Sequence, residues 1–325
     1  MNRTQNVHVH VELVDIPFDF IEQLAPSMDP RRLRLLLEFS RRGSMRAVAD
    51  ALGYTTSTVS QQLAVLAREA GATLIEPEGR RVRLTPAGRR LAEHAVTILA
   101  ALEAARADLD PDTEPAGTVR VAGFATAVRR SLVPVLGRLS SEHPAVHLQI
   151  HEHEPAEAFQ LLAADEVDLA LVYDYTLAPL AFDPALHVTP LWTASWELGV
   201  PAADDVGGAT AADDAAAVFA RFAGAEWIVN SRNTADEQVV RTIASLAGFK
   251  PRITHRADSL ELVQDLILAG LGVGLLPAND PLARGVRLIA LRRPQVALRS
   301  YAVTPPGRER WPPLRLVTRL LTASA

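Results

Sequence analysis

A run of hydroxyl and amide side chains near the start of the chain has the chemistry needed to read base-pair edges. Hydroxyl groups donate hydrogen bonds to phosphates or bases, and a glutamine amide can pair bidentately with adenine. The run consists of Thr55, Thr56, Ser57, Thr58, Ser60, Gln61 and Gln62. Three arginines follow, Arg80, Arg81 and Arg83, and their charge suits phosphate contacts. Together these residues predict a surface that binds double-stranded DNA.

Apolar periodicity predicts a helix-turn-helix that positions this run. Three helices are expected, beginning at the caps Asp29, Ser44 and either Thr55 or Thr56. Gly43 and Gly53 end the first two, as left-handed helix termini favour glycine. In such a motif the N-terminal residues of the last helix enter the major groove. An ordinary three-helix bundle is the alternative interpretation.

Arginines at the tip of a predicted hairpin add a basic wing. Residues 74–75 and 82–84 are the expected strands, and Gly79 lies in the turn between them. The wing would reach an adjacent groove or the backbone. Residues 28–90 hold twelve arginines against six acidic residues, whereas the whole chain has a net charge of −5. Basic charge confined to one end favours phosphate binding there, the alternative being tip charges that are simply solvated.

A long helix is predicted from Thr85 and Pro86 to about Leu109. Its apolar residues alternate steps of four and three, the pattern of a two-helix coiled coil. They are Leu91, Ala95, Ile98, Leu102, Ala105 and Leu109. Because so narrow a seam needs a partner helix, we expect a homodimer or a dimer of dimers.

The rest of the chain predicts an α/β fold. After a polar, proline-bearing linker at 110–117, strands and helices alternate, which indicates parallel βαβ units in two lobes. The expected domains are residues 28–85, the helix 86–109, and 118–325. Lobe I is expected at about 118–193 and 297–325, and lobe II at about 194–296. Residues 1–27 are an extension of unassigned role, with one alternation compatible with a strand.

Two stretches resemble a known family. GSMRAVADALGYTTSTVSQQLAVLAREAGATLIEPEGRRVRLTPAGRRL resembles the winged helix-turn-helix of LysR-type transcriptional regulators, and DSLELVQDLILAGLGVGLLP at 258–277 resembles their effector domain, akin to type 2 periplasmic binding proteins. The resemblance implies a sequence-specific DNA-binding regulator modulated by a small molecule, with RNA polymerase as a further partner. The family's Ser-Gln-Pro and Val-Ser-Arg-Gln are replaced here by residues 55–57 and 59–62, which changes the expected base preference.

The resemblance also implies an effector cleft between the lobes. Its expected walls follow strand ends, and they contain Ala125, Thr126, Glu154, Asn230, Ser231 and Arg232. Thr126 and Ser231 are expected to bind an anion or a carbonyl, and Arg232 a carboxylate. Glu154 favours a donor such as an amine or hydroxyl, so a polar, zwitterionic metabolite fits. Loop capping without any ligand is the alternative for each residue.

Composition excludes several other functions. The 325 residues include no cysteine, which removes disulfides, thiolate nucleophiles and cysteine-bound metals. His151 and His153 alternate along a predicted strand and could hold a metal, although exposed histidines are the commoner explanation. No catalytic or nucleotide-binding motif stands in a strand-to-helix context, so we expect no enzyme and no cofactor.

The same composition predicts where in the cell the protein acts and leaves one other class of function open. No apolar run approaches a membrane span, and the N-terminus lacks a signal pattern, which together predict a cytoplasmic protein. A cytoplasmic solute-binding or small-molecule-modifying α/β protein with an incidental helical bundle is the alternative.

Overall fold

The computed structural model describes residues 28–79, 81–110, 114–203 and 214–323. The strand predicted within 1–27, part of the predicted linker and Arg80 lie outside the described residues. Two compact units divide the chain between Leu99 and Ala100.

The N-terminal unit begins with three helices, α1 Pro30–Arg42, α2 Met45–Leu52 and α3 Thr56–Glu69. The predicted caps begin them: Asp29 Oδ1 accepts from the Arg31 amide at 2.8 Å and Ser44 Oγ from the Ala47 amide at 3.1 Å. Gly43 and Gly53 end the first two helices with φ values of 67° and 70°. One apolar core joins the helices, and its fully buried members include Leu36, Val48, Val59, Leu63 and Leu66.

A hairpin and the first part of a long helix complete this unit. Strands β1 Ile75–Glu78 and β2 Arg81–Leu84 pair antiparallel. Helix α4 runs over Pro86–Leu109. The Thr85 hydroxyl ties the two together, because it donates to the Thr73 carbonyl at 2.6 Å and accepts from the Gly88 amide at 3.0 Å. The predicted winged helix-turn-helix is therefore present.

The C-terminal unit is an α/β domain. Its strands are β3 Gly117–Gly123, β4 Val146–Glu152, β5 Leu169–Tyr175, β6 His187–Pro201, β7 Glu226–Val229, β8 Arg252–Arg256, β9 Val273–Pro277, β10 Val286–Ile289 and β11 Ala297–Thr304. Helix α5 comprises Ala125–Ala127, a π turn at Val128–Leu132 and Val133–Glu142. The other helices are α6 Pro155–Ala163, α7 Ala215–Ala220, α8 Ala235–Leu246, α9 Leu260–Leu268 and α10 Pro312–Ala323, with a 3-10 turn at Arg308–Arg310.

Strand order among the described residues explains the two lobes. The order is β4-β3-β5-β11-β6-β9-β7-β8, and β10 also pairs with β6. Strand β3 pairs parallel with β4 and β5, and β7 pairs parallel with β8 and β9, so each lobe has its own parallel group. Strand β6 joins the lobes, since its first part pairs with β11 and its last part with β9 and β10. The predicted two-lobed α/β architecture is confirmed.

Two element boundaries differ from the sequence-based prediction. The sequence pattern predicts a helix over about 130–142, whereas the helix begins at Ala125, directly after β3. The π turn explains the error, because its wider turn interrupts the 3.6-residue period from which the helix was predicted. The second set of elements is predicted to begin near residue 194, whereas strand β6 begins at His187 and pairs with strands of both lobes. No helix in the described residues is long and apolar enough to cross a bilayer.

Candidate functional site

The N-terminus of α3 presents the polar run predicted to read DNA. Thr55 caps the helix: its Oγ1 accepts from the Thr58 amide at 3.1 Å and lies 2.8 Å from Ser57 Oγ. Thr55, Thr56, Ser57, Ser60 and Gln61 are exposed, whereas Thr58 and Gln62 are half-buried. The helix start therefore offers several hydroxyls and one amide to an outside partner.

The two glutamines of the run differ in their surroundings. Gln62 Oε1 accepts from Arg32 Nε at 2.9 Å, and Arg32 also contacts Glu69. Gln62 therefore links α1 to α3 within the domain, and its carbonyl oxygen already has a donor. The adjacent residue Gln61, by contrast, is exposed to solvent. Spacing alone could not separate them, because the distinction depends on an arginine thirty residues away in the chain.

The arginines of the wing also differ. Arg83 lies 2.9 Å from Glu76 and 3.6 Å from Glu78 across the hairpin, so β1 partly neutralises its charge. Arg81 is exposed and has no ion pair among the described residues. Of the two described wing arginines, Arg81 is thus the one whose charge is available to a phosphate.

Helix α4 packs one face into its own domain. Ala95 is fully buried in the N-terminal core together with Ala92 and Val96, and Leu91 packs against that core from the edge. Ile98, Leu102 and Leu109 are exposed by 37%, 36% and 87% of their surface, and Ala105 is also exposed. The predicted seam therefore divides: its first part packs within the chain, and its second part presents apolar side chains to solvent.

A cleft of about 340 Å³ lies between the lobes of the C-terminal unit. Lobe I contributes the start of α5 and the ends of β4 and β5, and lobe II contributes the loops after β7 and β8. Five of the predicted residues line it, namely Ala125, Thr126, Glu154, Asn230 and Arg232. Ser231 lies beside the wall, where its amide and hydroxyl both donate to Asp258 Oδ1, at 2.8 and 2.6 Å.

Arg232 is occupied by carboxylates of the chain itself. Its Nε donates to Asp258 Oδ2 at 2.8 Å, and its terminal nitrogens lie 3.3 Å from Glu157 and 3.6 Å from Glu152. Asp258 belongs to lobe II, whereas the two glutamates belong to lobe I. Arg232 therefore links the two lobes across the cleft, and its guanidinium already has carboxylate partners within the chain. A second bridge is the 2.8 Å pair between Arg129 and Glu261.

Two carboxyl groups face the cleft from opposite lobes, Glu154 buried and Asp236 half-buried. Glu154 is only 6% exposed, and its Oε2 accepts from the Tyr173 hydroxyl at 2.8 Å. Burial raises the pKa of Glu154 above its ordinary value. On the other side, burial raises the pKa of Asp236 to about 6, although backbone amides of Asn230 and Glu237 donate to it.

A row of aromatic rings lines the same cleft. Phe124 and Tyr173 have ring centroids 4.5 Å apart, Tyr173 and Tyr175 5.8 Å, and Tyr175 and Trp196 5.4 Å. Sequence reasoning missed Tyr173, Tyr175, Trp196 and Asp236. One signal was present, since Tyr173 and Tyr175 are two residues apart on a strand and so share a face.

The two histidines considered as metal ligands, His151 and His153, have too few further ligands beside them among the described residues to hold a metal ion. His151 and His153 have ring centroids 6.4 Å apart, and His153 Nδ1 lies 3.3 Å from Glu157. Within residues 28–79, 81–110, 114–203 and 214–323, no three His, Cys, Asp or Glu side chains are arranged to hold a metal ion.

An exposed polar helix start, a basic wing and a two-lobed cleft are the features expected of a DNA-binding regulator with an effector-binding domain. The family description "LysR substrate binding domain" matches residues 112–325, and "Bacterial regulatory helix-turn-helix protein, lysR family" matches residues 30–89. The chain therefore belongs to the LysR family of bacterial transcriptional regulators.

Individual relatives agree with this assignment. The HTH-type transcriptional regulator CysB of Haemophilus influenzae is 26% identical over 267 residues, which cover 81% of this chain and 80% of CysB. The transcriptional dual regulator GltC of Bacillus subtilis is 26% identical over 287 residues, covering 87% and 92%. The chain is thus a LysR-type DNA-binding regulator with an effector-binding domain.

Solved structures share the fold. A full-length OxyR variant from Pseudomonas aeruginosa superposes with a TM-score of 0.66 at 18% identity, over 92% of this chain and 95% of that one. HinK, a LysR family transcriptional regulator from the same organism, gives 0.53 at 20% identity, over 91% and 98%. At these identities the likeness establishes the fold alone.

Proposed function

We propose that this regulator reads DNA with the start of α3 and with the β1–β2 wing, and that a small molecule in the lobe cleft changes how it holds DNA. One observation carries the proposal: Ser57 and Gln61 are exposed at the start of α3, while Arg81 on the wing is exposed and has no ion pair with any described residue. Hydroxyl and amide groups at a helix start can hydrogen-bond to base edges, and the charge of a wing arginine suits a phosphate contact.

A dimer follows from the exposed part of α4. Ile98, Leu102 and Leu109 form an apolar stripe that a second copy of the helix would cover. Pairing would also set the distance between two groove-reading helices, and hence the spacing of DNA half-sites. Effector binding would shift transcription only if the ligand prefers one arrangement of lobes and subunits.

RNA polymerase is the proposed partner through which that shift in transcription acts. The proposed location of the protein is the cytoplasm.

Recovering the DNA bound by the wild-type protein across the source genome would test the function directly. We expect a small set of related sites, with palindromic symmetry that matches a dimer. A mobility shift on those fragments then provides the reference affinity for variants. Failure to retain any DNA above random background would contradict the proposal and favour the solute-binding alternative.

Arg81→Ala and Gln61→Ala should weaken DNA binding in different ways. Loss of a phosphate contact should reduce affinity for all sequences and lower the salt slope by about 1. Loss of a base contact should cost about 1–3 kcal/mol on recovered sites and nothing on random DNA. Arg83→Ala is the matched control, because Glu76 and Glu78 already offset that charge, so its effect should be smaller. Equal losses for Gln61→Ala on specific and random DNA would remove Gln61 from base readout.

Leu102→Glu should weaken self-association. A carboxylate placed in an apolar stripe has no counterion there and must be desolvated if the helices pair. Light scattering at micromolar concentration should give a multiple of the chain mass for the wild type and a lower mass for the variant. Leu246→Glu is a suitable control, since Leu246 is a 62% exposed leucine on α8 outside the stripe. A monomeric wild type would rule out pairing through α4.

A further inference from the structure

The cleft carries more negative charge than its arginines neutralise. Its lining contains five acidic side chains and two arginines: Glu152, Glu154, Asp236, Asp258, Glu261, Arg129 and Arg232. Both arginines already have carboxylate partners at 2.8 Å, Glu261 for Arg129 and Asp258 for Arg232. A negatively charged ligand would therefore meet a surplus of like charge.

Glu154 and Asp236 are the two cleft carboxyl groups that neither arginine pairs with directly, although the charge of Arg232 also acts on Glu154. They lie on opposite lobes, and neither has an ion pair among the described residues. The charge of Glu154 adds to burial in raising the pKa of Asp236. Two like charges that face one cleft oppose each other, and a cation between them would favour both ionised forms.

The hydroxyl of Tyr175 supplies an independent indication of a ligand. Tyr175 is 2% exposed and lines the cleft, yet its hydroxyl has no hydrogen-bond partner within the described residues. The charges of Asp236 and Glu154 both act on this hydroxyl, so it lies in the field of the two carboxyl groups. Because the Tyr175 side chain is otherwise buried and lines the cleft, its hydroxyl can donate to or accept from a molecule bound there.

Aromatic rings make up the remaining wall. Tyr173, Tyr175 and Trp196 form a continuous edge-to-face row beside the two carboxyl groups. The faces of such rings attract cations, and their edges and faces also accept an apolar body. The cleft thus combines acceptors for N–H groups with a surface for carbon atoms.

We propose that the cleft binds a small organic cation bearing a primary ammonium or a guanidinium-like group, held between Glu154 and Asp236 and hydrogen-bonded to the Tyr175 hydroxyl. The inference rests on the proposed function, because it takes this cleft as the effector site. N–H donors are required, since carboxylates and the hydroxyl offer acceptor oxygens. A carboxylate on the ligand is not required, because Arg232 already has three acidic neighbours.

Ligand probes of one size and different charge would test the inference on the full-length chain. Benzylamine and benzamidine are cations with N–H donors, benzyltrimethylammonium is a cation without them, benzyl alcohol is neutral and benzoate is an anion. Titration at millimolar concentration, followed by thermal shift and calorimetry, compares their affinities. We expect the first two to bind, benzyltrimethylammonium and benzyl alcohol to bind more weakly, and benzoate not to bind.

Variants then locate the bound cation. Glu154→Gln, Asp236→Asn and Tyr175→Phe should each lower benzylamine affinity roughly tenfold, since each removes a charge or a hydrogen bond to a charged group. Glu142→Gln is the matched control, because Glu142 is an exposed glutamate of lobe I outside the cleft. Preferential binding of benzoate, binding of no cationic probe, or benzylamine affinity unchanged in all three cleft variants would each overturn the inference.

DNA measurements separate this inference from the proposed function. Mobility shifts without any probe report on α3 and the wing alone, and the cleft variants should leave them unchanged. If DNA binding is absent while benzylamine still depends on Glu154, the proposed function fails and the cation site stands. If DNA binding is present and benzoate is preferred, the regulator stands and the ligand class is wrong.

Discussion

Replacing Asp168 with alanine should destabilise the C-terminal domain by about 3–5 kcal/mol, the range for removing one partner of a buried ion pair. Asp168 is 1% exposed and lies between two arginines. Its oxygens accept from the Arg120 amide at 2.9 Å, from Arg120 Nη2 at 2.8 Å and from Arg308 Nη2 at 2.7 Å. Without the carboxylate, the Arg308 guanidinium, itself 7% exposed, is left buried without its acidic partner.

The same residue should shape the response to acid. Burial by itself would raise the pKa of Asp168, but hydrogen bonds from Arg120 and the charges of Arg308 and Arg120 lower it to about 2. Because the folded-state pKa is below the unfolded value of 3.8, this stabilisation is complete above that value and is lost as pH falls toward 2. Asp168→Ala should therefore flatten the loss of stability over this acid range.

Urea unfolding followed by far-ultraviolet circular dichroism measures both effects. Glu142→Ala is the control, because Glu142 pairs with Arg138 at 3.4 Å on the surface, where a pair contributes about 1 kcal/mol or less. An Asp168→Ala protein as stable as the control, with an unchanged acid limb, would mean that the buried pair adds nothing to folding.

Gly88→Ala should disrupt the N-terminal domain and abolish DNA binding. A methyl group at this position of α4 would lie 2.1 Å from the carbonyl oxygen of Leu74 and 3.1 Å from a Leu84 methyl. The first contact is with backbone, so the hairpin and the helix must separate. We expect a cost of about 3 kcal/mol, since overpacking here cannot be relieved by a side-chain rotation.

A second glycine provides a matched control for this substitution. Gly137 also lies inside a helix, α5, but a methyl group there would have no atom within 4 Å. Gly137→Ala should stabilise the protein by about 0.5–1 kcal/mol, because alanine loses less backbone freedom on folding. Thermal unfolding and DNA mobility shift of both variants check the pair. Normal DNA affinity in Gly88→Ala would contradict the close approach of α4 to the backbone of Leu74, just before β1.

Local chemistry determined much of the N-terminal unit in advance. The three helices begin at residues whose own side chains cap them, Asp29, Ser44 and Thr55, and two of the helices end at Gly43 and Gly53. Residues at the helix ends themselves therefore determine these boundaries. Strand and helix alternation likewise predicted the α/β lobes, because periods of 2 and 3.6 are properties of consecutive residues. The LysR resemblance rested on these same stretches, and the family matches confirm it.

Contacts between distant parts of the chain decided the rest. Ala95 looked like a seam residue by its spacing, but packing against the N-terminal core buries it. Arg232 looked available to an anion, yet Glu152, Glu157 and Asp258 neutralise it from both lobes. Periodicity predicts which face of a helix or strand is apolar. It does not predict which residues pack against that face or pair with a given charge, because those partners depend on the order of strands β3, β5 and β7 in the sheet. The acidic and aromatic character of the cleft therefore emerges only from the tertiary fold.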